Sequence, residues 1–187
     1  MSATDEEYKM LRTEILQYLQ HYQNIRTFMF TSVTAIFIFL FKSEVKEPLV
    51  YLVPLLVVIP AYLSAVNYWS CVTVDSAYLM VFHEEQEDSN FHWETRLTQF
   101  SDVHHHSSNE VLGKGLIENI QALSYILATL LCFAVYGYFL HKKGSQITCF
   151  DTCGGLFIAV ICIRIFIFVT VEDKEVYIER WRRIKQN

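Results

Sequence analysis

Four apolar runs, Phe28 to Phe41, Leu49 to Val66, Ile120 to Leu140 and Gly154 to Val171, limit what this 187-residue chain can fold into. Crossing a hydrocarbon core of about 30 Å takes about 20 mostly apolar helical residues, and the last three runs meet or approach that length. The first reaches it when the helix includes Ile25 to Thr27 and Lys42 snorkels at the far end. A soluble fold that buried four such helices would have too little polar sequence left to cover them. The runs therefore predict an all-α membrane protein with four transmembrane helices. Hydrophobic residues make up 52% of the chain, against only 6 Gly and 3 Pro, so the helices are filled by large side chains and few long loops are available.

Orientation follows Lys and Arg near the spans, not the net charge of −5. Four spans put both termini on one side. That side collects Lys9, Arg12, Arg26, Arg96, Lys114, Lys174, Arg180, Arg182, Arg183 and Lys185, while Lys42, Lys46, Lys142 and Lys143 fall on the other and Arg164 lies within a span. Ten against four predicts cytoplasmic termini. The first 27 residues are charged and helical, with no small-residue cleavage site after the first apolar run, so that run reads as a signal anchor. No Asn begins an Asn-x-Ser/Thr acceptor. Cys71, Cys132 and Cys162, in or next to spans, read as small packing residues. Cys149 and Cys153 fall in an outer loop, where a spacing of four is poor disulfide geometry.

One membrane domain is expected over 1–187. Thr4 to Glu7 forms a capping box, and Tyr8, Leu11, Ile15, Tyr18, Tyr22 and Ile25 follow as an a/d seam. With no Gly or Pro before the first span, a single helix over 5–41 is predicted, its seam packing on the protein's own helices because tyrosine hydroxyls need polar neighbours. A second span and stalk over 48–86 contains Pro54 and Pro60; a polar tip covers 87–107; a third stalk and span covers 108–140, entered by a capping box at Ser107 to Glu110. The fourth span, 154–171, leads into a basic amphipathic helix over 172–187 with Tyr177, Trp181 and Ile184 on one face. The helices thus extend the membrane bundle into a cytoplasmic bundle. Outer loops too short to hold a domain leave recognition to the cytoplasmic side or the bundle interior.

Catalytic patterns fail one by one. His83 is followed by Glu-Glu-Gln-Glu, so the second histidine of a His-Glu-x-x-His zinc helix is missing. Paired Glu-x-x-His motifs of a di-iron bundle do not occur, nor does Pro-Cys-x-x-Cys of a zinc deaminase. A nuclease helix of the HEPN type needs Arg and His four to six residues apart, whereas Arg96 and His104 are eight apart. Neither Gly-x-Ser-x-Gly nor a phosphate-cradling loop is present. No metal or other cofactor is expected.

Arg164 is the most informative single residue, since a guanidinium in hydrocarbon costs several kcal/mol unless it snorkels, pairs or lines water. Its candidate partners in a polar intramembrane site are Asn67 and Asp75. Arg180, Arg182, Arg183 and Lys185 form a basic face just past the last span, attracted to anionic lipid at about 1 kcal/mol per charge. The competing dock is the acidic tip, and the aromatic face of Tyr177 and Trp181 favours lipid. Nucleic acid is not an expected partner, because the rest of that side is acidic.

Tyr8-x-x-Leu11-Arg12-x-Glu14-Ile15-Leu16, Tyr78-Leu79-x-Val81-Phe82-His83-Glu84 and His92-Trp93-Glu94-Thr95-Arg96 resemble segments of small, uncharacterised multi-span (four-helix) inner-membrane proteins of bacteria. The resemblance implies a bacterial inner-membrane location and brings forward Tyr78, Phe82, His83, Glu84, Trp93, Glu94 and Arg96 as organisers of the cytoplasmic hairpin. The function expected is non-enzymatic: a homo-oligomeric membrane anchor or membrane-perturbing effector for a cytoplasmic protein partner. The alternatives are a small channel or transporter built on Arg164, and a membrane enzyme using the His/Glu tip.

Overall fold

The computed structural model describes residues 3–43, 45–85, 93, 95, 113–144, 148–169 and 174–186. These are helical, with no strand among the described residues. Helix α1 spans Ala3–Lys42, a 3-10 turn Pro48–Leu52, α2 Leu55–Leu79, a π-helical turn Met80–Glu84, α3 Gly113–Lys143, α4 Cys149–Phe168 and α5 Lys174–Gln186. Four of the helical stretches are long and apolar enough to cross a membrane, which makes the chain a multi-pass membrane protein by length and composition. The expected polar tip and the capping box at Ser107 to Glu110 lie outside the described residues.

Contacts divide the chain into two compact units. A polar unit comprises Met1–Gln23, Val66–Asn119 and Val171–Asn187; an apolar unit comprises Asn24–Ala65 and Ile120–Thr170. Helix α1 contributes to both. Its buried positions are Tyr8, Ile15, Tyr22 and Met29, seven apart each time, then Val33, Phe37 and Leu40. That spacing keeps one narrow stripe inward along the helix. In the polar unit the stripe packs on the protein's own helices: Tyr8 and Ile15 cluster with Leu79, against Leu11, Leu19 and Val72.

In the apolar unit, Tyr51 stacks on Phe139 with ring centres 4.0 Å apart and planes nearly parallel, and Phe41 leans on both. Tyr62 packs on Phe166 at 4.5 Å and donates to the Val169 carbonyl at 2.7 Å. Large apolar side chains elsewhere, among them Phe28, Leu56, Leu130, Phe157 and Phe168, point outward. Lipid is the solvent that suits such a surface.

Two boundaries differ from the sequence reading. Pro54 lies within the span but ahead of α2: the 3-10 turn ends at Leu52, and the Pro54 carbonyl accepts from Val57 and Val58 as the new helix begins. Only Pro60 remains inside α2. Helix α4 starts five residues before its apolar run, so Cys149 and Cys153 stand on a helix and not in a loop. The cause is a capping box. Asp151 accepts from the Thr148 amide at 3.0 Å and hydroxyl at 2.8 Å, while the Thr148 hydroxyl accepts from the Asp151 amide. Lys143 at the end of α3 donates to Asp151 at 3.0 Å and to Glu47 at 3.1 Å, tying three segments together.

Tyr136 is the tightest fit in this unit. Its hydroxyl donates to the Asp151 carbonyl, and a methyl group added at Gly155 would meet that hydroxyl at 2.3 Å. Gly155→Ala must displace the ring from its hydrogen bond and should destabilise by about 1–3 kcal/mol, read as earlier thermal unfolding in detergent. Gly137→Ala, facing open space, should show no loss.

Candidate functional site

A cluster of buried polar side chains lies in the polar unit, around the π turn that follows α2. A π turn closes its hydrogen bonds over five residues; here the Glu85 amide reaches the Met80 carbonyl at 3.0 Å. Single π turns inside α-helices are rare and concentrate at functional sites. This one carries two consecutive polar residues, His83 and Glu84, that are 6% and 4% exposed. A buried carboxylate is tolerated only when its oxygens are satisfied. Glu84 Oε1 accepts from the Tyr8 hydroxyl at 3.2 Å, and Oε2 accepts from the Thr95 amide at 2.7 Å and hydroxyl at 2.8 Å.

His83 is held by its neighbours in the same way. Its Nε2 lies 3.8 Å from Glu7 Oε2, and its ring stands edge-on to Tyr8 and tilted against Tyr78. Glu7 Oε1 in turn accepts from the Tyr78 hydroxyl at 3.0 Å. One carboxylate therefore lies against both the tyrosine and the histidine, and the start of α1 is fixed to the π turn through Glu7 and Tyr8. Trp93 is exposed, with the Arg12 guanidinium 5.2 Å from its ring centre.

Helix α5 covers the outer side of the turn. Ile178 is buried with Ala77 and Val81, and Trp181 meets Tyr78 and Phe82 edge-on. Lys185 donates to the Val81 carbonyl at 2.6 Å, near a helix end where carbonyls lack intrahelical donors, and lies over Phe82. Arg182 donates through Nε and Nη2 to Glu85, which holds its pKa above the ordinary guanidinium value. Arg182 and Lys185, two of the four basic residues expected at a lipid surface, meet the Glu85 carboxylate and the Val81 carbonyl here. Arg180 stacks on Tyr177 and Arg183 stands near Glu179; both remain exposed.

The structure thus brings together Tyr78, Phe82, His83 and Glu84 from the sequence-derived set and adds Glu7, Tyr8, Thr95 and Glu85. Glu94 and Arg96 lie outside the described residues. Arg164 belongs to the apolar unit, whereas Asn67 and Asp75 belong to the polar one. Arg164 is exposed, with its guanidinium carbon 5.3 Å from the ring centre of Phe168, one turn on in the same helix. Asn67 is exposed and Asp75 half-buried.

No protein family, curated protein or solved structure matches this chain. The geometry alone therefore bears on function. Among the described residues no three His, Cys, Asp or Glu side chains are placed to share a metal ion. The arrangement around His83 and Glu84 fixes one helix turn against α1, while Val81, Phe82 and Glu85 of the same stretch meet α5.

The Tyr8–Glu84 bond lends itself to a double-mutant cycle. Tyr8→Phe and Glu84→Gln should each destabilise the polar unit by about 1–3 kcal/mol, and the pair should fall short of the sum by about 1 kcal/mol in chemical unfolding. Additive losses would show that the bond contributes nothing beyond packing.

Proposed function

We propose that this chain is a multi-pass bacterial inner-membrane protein with cytoplasmic termini that self-associates and acts as membrane anchor or membrane-perturbing effector for a cytoplasmic protein partner. The observation that carries the reading is the way α5 sits on the π turn. Its apolar contact sets Ile178, Tyr177 and Trp181 against Ala77, Val81 and Phe82, and its ion pair, Arg182 to Glu85, is about half exposed on the arginine side. Exposed ion pairs contribute about 0–1 kcal/mol and are screened by salt. Such a pair is weak enough to be exchanged. A partner helix with an apolar face and a terminal basic residue would replace α5 over Ala77, Val81 and Phe82, as amphipathic helices dock in grooves elsewhere. Self-association is supported by α4, which has only 17% of its apolar window buried and so keeps most of its surface for lipid or a second copy.

Two measurements test this. Cysteine-accessibility labelling should find Ser43 and Ser145 positions outside and Ser89 and Asn187 positions inside; outward labelling at Asn187 removes the cytoplasmic partner. Arg182→Glu, which sets two carboxylates against each other, should raise hydrogen exchange over 80–85 and 174–186 by roughly fivefold, equivalent to about 1 kcal/mol. High salt should move the wild type the same way. Selective ion flux from reconstituted vesicles with no change on α5 release would favour the channel reading.

A further inference from the structure

Cys149 and Cys153 open α4 on one face, both exposed, with their sulfur atoms 3.6 Å apart. The distance fits one kind of bridge better than another. Residues four apart on a helix hold their Cβ atoms about 5–6 Å apart. A disulfide needs about 3.5–4.5 Å between Cβ atoms and about 2.05 Å between sulfurs. Closing it would unwind the first turn of α4, which the Thr148–Asp151 capping box and Lys143 hold in place. A bridging metal ion has the opposite requirement, since two thiolate bonds of about 2.3 Å set the sulfurs up to about 4.6 Å apart. Rotation of two exposed side chains supplies the remaining ångström with the backbone unmoved.

We propose that Cys149 and Cys153 form a two-coordinate site for a soft, thiophilic monovalent cation of the Cu(I) type. Thiolate pairs select such ions, whereas a structural zinc site takes four ligands. The acid on the same turn, Asp151, is committed to Thr148 and Lys143. Two Cys–SH groups and one Cu(I) give one anionic bis-thiolate and two protons, with no electron transferred. Because both sulfurs are exposed, the ion can be handed over from a thiol carrier in solution.

The test uses the reduced full-length chain in detergent without oxygen, with Cu(I) supplied as its bicinchoninate complex. The Cys149→Ser/Cys153→Ser double variant sets the background from Cys71, Cys132 and Cys162. The wild type should retain one equivalent more than the double variant, each single variant should match the double, and copper should block maleimide labelling of both sulfurs with release of two protons per ion. Equal retention by wild type and double variant overturns the site, as does a single variant that keeps the extra equivalent. A Cys149–Cys153 disulfide that forms fully in a glutathione buffer overturns the geometric argument on which it rests.

Discussion

Everything described depends on one stripe along α1. Buried positions recur seven residues apart from Tyr8 to Met29 and continue through Val33, Phe37 and Leu40, although the chain changes from charged to apolar partway along. The periodicity is the same while the solvent for the outer face changes. At the polar end the outward positions are Glu6, Lys9 and Gln17; at the apolar end they are Phe28, Phe30 and Phe39. A single helical rule therefore supplies the inner wall of both units, and composition alone decides what each unit meets outside.

Within the polar unit, the helix and its surroundings place opposite demands on His83 and Glu84. Burial of consecutive polar residues is costly unless every donor and acceptor is matched. The π turn meets this by setting both against α1, where Glu7 and Tyr8 come from the first helical turns and supply a carboxylate and a hydroxyl. The same turn presents Glu85 and the Val81 carbonyl outward to Arg182 and Lys185. One local irregularity thus serves an inner network and an outer contact.

The apolar runs and the seam of α1 were legible because hydrophobic length and period are carried by the residues themselves. The π turn was not, since Met80 to Glu84 reads as ordinary helix and only the matching of His83 and Glu84 to Glu7, Tyr8 and Thr95 selects the wider turn. Tyr78, Phe82, His83 and Glu84 were named from a resemblance, which gave their neighbourhood but no partners. The early start of α4 has a signal in Thr148-x-x-Asp151, which the apolar run beginning at Gly154 does not carry. The basic face of α5 was correctly seen as basic, yet Arg182 and Lys185 turn to a carboxylate and a carbonyl whose positions depend on long-range packing. Arg164 drew attention by its charge, and its contact with Phe168 is the modest arrangement that a long side chain reaches unaided.

Helix α4 has only Asp151, Gly155 and Cys162 buried, and on a period of 3.6 residues these three fall almost on a single line. Nearly all the information in that helix is concentrated there. Its other apolar positions, Leu156, Phe157, Val160, Ile163 and Ile167 among them, are interchangeable so far as packing is concerned. Sequence drift in α4 would therefore be wide in identity and narrow in character, with a changing set of large apolar residues around a fixed acid, glycine and buried thiol and the Cys149–Cys153 pair.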